Sequence, residues 1–153
     1  FSPKKQLIKN VKFEFVKYND IHFFGFVKKW INQFDKVFCS DLEKTIIDCL
    51  YKPQYASGIT EITRAIDRSK KDININKMID YLVKFKADVV LKRIGFIMEN
   101  FVEFDFVINS IENKISKSLS YLDPSYPKEG KYINRWKIID NVGLTEVISS
   151  LIT

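Results

Sequence analysis

Apolar and polar residues alternate along much of the first forty positions, which is the period of a β-strand. "VKFEFVKY" sets Val11, Phe13 and Phe15 against polar neighbours, and an Asn-Asp turn leads into "IHFFGFVKKWI". A second turn, "NQFD", returns the chain along "KVFC". The pattern predicts a three-stranded antiparallel meander whose aromatic face needs a covering helix.

From residue 40 to about residue 117 the apolar period lengthens to that of an α-helix. Each predicted helix carries one apolar stripe. The stripes are Ile59, Ile62 and Ile66; Met78, Leu82 and Phe85; Val90, Ile94, Ile97, Met98 and Phe101; and Phe104, Val107, Ile108, Ile111 and Ile115. Stripes of this spacing are typical of a packed core rather than of a cofactor site.

The last part of the chain returns to strand patterns. "LSYLDP" and "NRWKIIDNV" flank a turn-rich connection with two prolines and a glycine, and Gly143 precedes a final helix, "LTEVISSLI". We therefore predict a single α+β domain over residues 1–153. Antiparallel strands at the N-terminal end and a C-terminal strand pair pack against a central helical segment.

The run "SDLEKTIIDCL" at residues 40–50 begins the first predicted helix. Ser40 is expected to be the N-cap and Glu43 to complete a capping box at the third helical position. Asp41 then falls at the first helical position, Lys44 and Asp48 form an ion pair on the outer face, and Pro53 ends the helix.

The same run also admits a catalytic interpretation, because two acids and a lysine resemble the set that holds a metal in some nucleases. Asp41 and Glu43 would point about 200° apart on a helix, which argues against a shared metal. Cys39, Cys49 and His22 match no zinc-binding spacing, and His22 is interpreted as a structural side chain on a strand. We predict no catalytic residue, no metal and no cofactor, and a binding domain rather than an enzyme.

The formal charge of +6 and an isoelectric point near 9.2 favour an acidic partner. No apolar stretch is long enough to cross a bilayer, and no targeting segment is recognised, so a cytoplasmic protein without membrane contact is expected.

Four strings, "HFFGF", "VFCSDLEKTIIDCLYKPQYASGITEITRAI", "VLKRIGFIMENF" and "LDPSYPKEGKYINRWKIIDNV", resemble the AbiEi-type antitoxin family of predicted transcriptional regulators. That family belongs to type IV toxin–antitoxin systems linked to phage defence. The resemblance implies a C-terminal domain that neutralises a nucleotidyltransferase-type toxin. The winged-helix domain that binds operator DNA is expected to lie outside this chain, since no helix-turn-helix pattern precedes residue 40.

The resemblance also implies roles for single residues. Ser40 and Glu43 would form the helix cap, Gly58 a turn and Trp136 a core anchor, with no catalytic residue to carry over.

Two basic pairs, Arg64 with Arg68 and Lys92 with Arg93, are candidates for contact with the toxin, because basic side chains suit the acidic cleft of a nucleotidyltransferase. The alternative function left open is a nucleic-acid-binding or nuclease-like domain.

Overall fold

The computed structural model describes residues 5–152 and has an α+β fold. Six α-helices lie in this part of the chain: α1 Leu42–Tyr51, α2 Ile59–Ser69, α3 Ile75–Phe85, α4 Asp88–Met98, α5 Asp105–Ile111 and α6 Leu144–Ile152. The strands are β1 Gln6–Ile8, β2 Val11–Phe13, β3 Phe26–Trp30, β4 Lys36–Ser40, β5 Ser120–Tyr121, β6 Lys131–Ile133 and β7 Ile138–Asp140. Short 3₁₀ turns cover Asp20–His22, Pro53–Tyr55, Val102–Phe104 and Glu112–Lys114.

The predicted N-terminal meander is wrong in its connectivity. β1 pairs with β2 and β3 pairs with β4, as two separate antiparallel hairpins. The reason lies between them. Asn19 caps the 3₁₀ turn at Asp20–His22 by accepting a hydrogen bond from the Ile21 amide, and Gly25 adopts a φ of +74° just before β3. The expected Asn-Asp turn is therefore present, but residues 14–25 form no strand, so the meander is interrupted there.

His22 lies on this 3₁₀ turn and not on a strand, which corrects its predicted setting. Its structural role is nevertheless clear. The ring is buried and stacks on Phe85 with 3.9 Å between the ring centroids, and Nε2 lies 3.0 Å from the Phe85 carbonyl oxygen. The turn is thereby held against the end of α3.

The helices form the main core. α1 packs against α3 and α4, α5 packs against the same two helices, and α6 packs against α2. The predicted apolar stripes are confirmed, because their residues are buried in one cluster, apart from Ile115, which is only partly buried. No helix within residues 5–152 combines the length and the apolar character that a membrane span requires.

The C-terminal strand prediction is confirmed and extended. β5 and β7 form the expected pair, and the structure shows that they run parallel, while β6 pairs with β7 in antiparallel register. β6 lies inside the connection that was expected to be irregular. Trp136, in the turn between β6 and β7, is fully buried, which agrees with its predicted role as a core anchor.

Candidate functional site

The predicted capping box at the start of α1 does not form, and the N-cap lies one residue later than expected. Ser40 is the last residue of β4, where it pairs with Phe26, so its backbone belongs to the hairpin. Asp41 is the N-cap, and its Oδ1 accepts a hydrogen bond from the Lys44 amide at 3.0 Å. The Ser40 hydroxyl contacts the Thr45 hydroxyl instead, with 2.6 Å between the oxygens.

Glu43 is buried and turns toward α3 rather than back to its own helix. Its Oε1 accepts a hydrogen bond from the Asn74 amide at 2.7 Å, and its Oε2 lies 2.6 Å from the Lys77 ammonium group. Asn74 is the N-cap of α3, so the carboxylate of Glu43 sits at the positive end of that helix. Glu43 therefore joins α1 to α3.

Asp41 reaches the same lysine, contrary to the expectation that the two acids diverge. Asp41 Oδ2 accepts a hydrogen bond from the Tyr81 hydroxyl at 2.9 Å and lies 3.4 Å from Lys77 Nζ. The divergence argument assumed that both acids are helical, but an N-cap residue has an extended backbone. The hydrogen bond to Glu43 raises the pKa of Lys77, whose single positive charge lies between the two carboxylates.

The ion pair of Lys44 with Asp48 is present, but it is not on an outer face. Lys44 is fully buried, and its Nζ lies 5.1, 5.3 and 5.5 Å from the ring centroids of Phe24, Phe85 and Tyr18. Burial together with the nearby Asp48 raises the pKa of Tyr18. Lys44 is part of the core and is not available to an external phosphate.

Lys92 is also buried, with none of its side chain exposed to solvent. Its ammonium group lies 2.6 Å from Asp88 Oδ2 and donates to both the carbonyl and the hydroxyl oxygen of Ser118. Burial alone would raise the pKa of Asp88, but the hydrogen bonds from Lys92 and Ser116 outweigh it and lower that pKa. The expected surface position of Lys92 is therefore wrong.

Arg93 is buried too, and only 4% of it is exposed. Its guanidinium donates to the carbonyl oxygens of Leu50 at 2.6 Å, Tyr51 at 3.3 Å and Tyr121 at 3.1 Å. Burial lowers the pKa of Arg93 to about 10, opposed by the charge of Asp123, so the group stays protonated at neutral pH. Lys92 and Arg93 cannot form the predicted charged surface patch, because both side chains are buried. Lys92 is covered at Ser118, and Arg93 lies between the end of α1 and β5.

Arg64 and Arg68 lie on α2 and are exposed, as expected. Arg64 forms an ion pair with Glu61 one turn earlier. No carboxylate in residues 5–152 lies within ion-pair distance of Arg68. Arg68 is thus the cation of this pair that is free to meet an acidic partner.

Arg68 stands at the rim of a groove of about 290 Å³ between α1 and α2. The floor of the groove is mainly apolar, and polar side chains lie at its edge. The lining residues are Leu42, Thr45, Ile46, Cys49, Ala56, Ser57, Glu61, Ile62, Ala65, Arg68 and Ser69. An apolar groove with a free cation at its rim is a suitable binding surface for an acidic protein.

A second open surface was not predicted. The β3–β4 hairpin exposes Trp30, Phe34 and Phe38 together with Lys28 and Lys36. The sequence signal for this open surface is the occurrence of lysine and aromatic residues at alternate positions along "FVKKW" and "KVF". The predicted meander instead had its aromatic face covered by a helix.

Gly58 has the backbone that its predicted turn role requires, with a φ of +84°. As the N-cap of α2 it has no side chain to cap that helix. Asp123, from the C-terminal part of the chain, supplies the acceptor instead, because its Oδ2 lies 3.2 Å from the Ile59 amide nitrogen. A buried carboxylate contributed from so far along the chain leaves no local signal in the sequence.

In residues 5–152 no group of three or more histidine, cysteine, aspartate or glutamate side chains is placed to hold a metal ion. Comparisons with protein-family models, with curated proteins and with solved structures found no match to this chain. The resemblance to AbiEi-type antitoxins therefore remains a prediction.

Proposed function

We propose that this chain is the toxin-neutralising domain of an AbiEi-type antitoxin and that it acts by binding a nucleotidyltransferase-type toxin. In the full protein this domain would be joined to a winged-helix domain that binds operator DNA. The observation that carries the proposal is the α1–α2 groove, which combines an apolar floor with the unpaired cation of Arg68.

The distribution of charged groups supports binding over catalysis. The side chains that most resembled a catalytic set, Asp41, Glu43 and Lys44, are engaged in contacts inside the protein. Lys92 and Arg93 are engaged in the same way. Arg68 differs from all five, because it is exposed and free of a carboxylate partner within residues 5–152.

The chemistry of the expected partner fits this surface. A nucleotidyltransferase usually coordinates divalent metal through carboxylates, so its cleft carries acidic groups. A basic side chain beside an apolar groove would meet such a cleft with charge complementarity, which chiefly supports specificity and the association rate.

The test is neutralisation of the toxin encoded by the neighbouring gene. Residues 1–153 are co-expressed with that toxin and growth is scored, for the wild type, for Arg68→Glu and for Lys117→Glu. Lys117 is an exposed residue outside the groove, so its variant makes the same change in net charge. We expect the wild type and Lys117→Glu to restore growth and Arg68→Glu to lose at least about tenfold in affinity for the purified toxin, as expected when a like charge is placed against an acidic surface.

Two results would contradict the proposal. The first is a neighbouring gene that does not encode a nucleotidyltransferase, and the second is a wild-type domain that fails to restore growth while the full-length protein succeeds. If the wild type, Arg68→Glu and Lys117→Glu restore growth equally, the domain neutralises the toxin, but the contact surface is not the α1–α2 groove.

A further inference from the structure

The β3–β4 hairpin has one open face on which aromatic and basic side chains alternate. In an antiparallel pair, directly opposed residues point to the same side of the strands. Lys28 opposes Phe38, and Trp30 opposes Lys36, so these four side chains share one face. We name this set the ribbon face.

The ribbon face is exposed, whereas the opposite side of the hairpin is partly covered. Trp30 and Phe38 are 61% and 68% exposed, while Val27 and Cys39 on the other side are partly buried. Phe34, at the tip of the hairpin, is 86% exposed. Large aromatic side chains in such numbers are costly to leave in water, and an exposed apolar patch commonly marks a binding site.

Each lysine of the ribbon face lies over an aromatic ring. Lys36 Nζ is 4.1 Å from the Trp30 ring centroid, and Lys28 Nζ is 5.0 Å from that of Phe38. No carboxylate in residues 5–152 lies within ion-pair distance of either ammonium group. The two charges are therefore available to an anionic ligand that approaches the same face as the rings.

The β3–β4 hairpin is fixed by hydrogen bonds and close contacts at its base and at its tip. At its base, the Asp41 amide donates to the Gly25 carbonyl oxygen at 2.9 Å, and a β-carbon at Gly25 would lie 2.8 Å from Lys44 Cβ. At its tip, Asn32 Oδ1 accepts from the Phe34 and Asp35 amides at 2.8 and 2.7 Å. Asp35 is the only acid in residues 26–40, and its carboxylate is bound to the Asn32 side chain.

We propose that the ribbon face binds single-stranded nucleic acid, with bases stacked on Trp30 and Phe38 and phosphates at Lys28 and Lys36. The required ligand has flat π faces and regularly spaced negative charges, and a nucleic-acid strand has both. Single-strand-binding proteins use the same combination of stacking platforms and basic side chains, with little dependence on sequence.

The spacing of the rings favours an extended strand over a duplex. Trp30 and Phe38 are diagonal neighbours on the hairpin, a relation that separates side chains by about 7–8 Å. Stacked bases in a duplex strand are only about 3.4 Å apart along the axis, and their faces are covered by one another. Two rings at the wider spacing can each take one unstacked base. This proposal uses a different surface from the α1–α2 groove and does not depend on the proposed antitoxin function.

The test measures binding of labelled oligonucleotides to the full chain by fluorescence anisotropy. The probes are an oligothymidylate and an oligouridylate of about 12 nucleotides, within the known range of site sizes, a duplex of the same length and an abasic strand with the same phosphates. We expect both single strands to bind more tightly than the duplex and the abasic strand.

Variants separate stacking from charge. Trp30→Ala/Phe38→Ala should lower affinity by at least about tenfold, since two stacked bases are lost. Lys28→Gln/Lys36→Gln should weaken the salt dependence of binding. The negative slope of log K against log salt should become smaller in magnitude by about 1.4, the value for two phosphate contacts on a single strand. Phe106→Ala and Lys117→Gln are matched controls, because both residues are exposed and lie outside the hairpin.

Tryptophan fluorescence gives a second readout. The chain has two tryptophans, of which Trp136 is fully buried, so a stacked base should quench the emission of Trp30. The proposal is supported if the single strand quenches the emission of the wild type and if this quenching is lost in Trp30→Phe.

Three outcomes would overturn it: equal affinity for the abasic strand, unchanged affinity of Trp30→Ala/Phe38→Ala, or no binding by the wild type. Sedimentation provides the remaining check. A wild-type dimer that becomes monomeric in Trp30→Ala/Phe38→Ala and binds no strand would identify the ribbon face as an interface between copies of this chain.

Discussion

At the residue scale, the start of α1 depends on carboxylates that act across elements. Asp41 caps its own helix and also contacts Lys77 and Tyr81 on α3, while Glu43 accepts a hydrogen bond from the amide of Asn74, the N-cap of α3. Two neighbouring acids thus position two helices. Their burial against Lys77 explains why so many charged residues lie close together in "SDLEKT" without forming an open site.

Replacing Asp41 should therefore be more costly than replacing Ser40. Asp41→Ala removes an N-cap and should lower the free energy of unfolding by about 1–2 kcal/mol. Ser40→Ala removes only the contact with the Thr45 hydroxyl and should cost about 0.5 kcal/mol. Urea unfolding of both variants measures the difference, and a larger loss for Ser40→Ala would restore Ser40 as the cap.

At the scale of the element, α4 is enclosed because a glycine lets the indole ring of Trp136 approach its backbone. A β-carbon at Gly95 would overlap the six-membered ring of Trp136. Trp136 is expected from the sequence to be a core anchor. The structure shows that its ring reaches this position by packing directly on the backbone at Gly95.

Gly95→Ala should be destabilising although alanine is the better helix former. The gain in helix propensity is about 1 kcal/mol, and overpacking a buried ring costs about 1–3 kcal/mol or more when the ring cannot move. We expect a net loss of about 2 kcal/mol in the free energy of unfolding, since Trp136 is fully buried.

A double-mutant cycle provides the control for this contact. In a Trp136→Leu background the ring is absent, so Gly95→Ala should become neutral or stabilising. Equal destabilisation in both backgrounds would show that the ring is not the cause.

At the scale of the whole molecule, Arg93 joins parts that lie far apart in the chain. Its guanidinium binds carbonyl oxygens at the C-terminal end of α1 and on β5. Those carbonyls include the orphan acceptors that every helix leaves at its end. This buried side chain is therefore one of the contacts that join the helical core to the C-terminal sheet.

Arg93→Met should lower the free energy of unfolding by about 3 kcal/mol or more, because three carbonyl oxygens lose a charged donor. Arg64→Met is the matched control. Arg64 is exposed and pairs only with Glu61 on the helix surface, so its replacement should stay within about 0.5 kcal/mol. Thermal and urea unfolding compare the two, and similar losses would contradict the structural role of Arg93.

The groove and the ribbon face show which parts of a binding surface a sequence can reveal. Arg68 is predicted as a surface cation from its position one helical turn after Arg64, and it is exposed. Lys92 and Arg93 are predicted as a second surface pair, yet both are buried. A basic residue is recognisable in the sequence, but whether carboxylates, hydroxyls and carbonyls surround it depends on other elements.

The sequence by itself determined the α+β class, the apolar stripes of the helices and the positions of the C-terminal strands β5 and β7. These features depend on local periodicity, which the chain shows directly. Only the tertiary structure decided that the N-terminal strands form separate hairpins with an open aromatic face, and that Asp123 binds the start of α2. Such contacts join residues distant in the chain, and their energies depend on packing and burial that no local pattern contains.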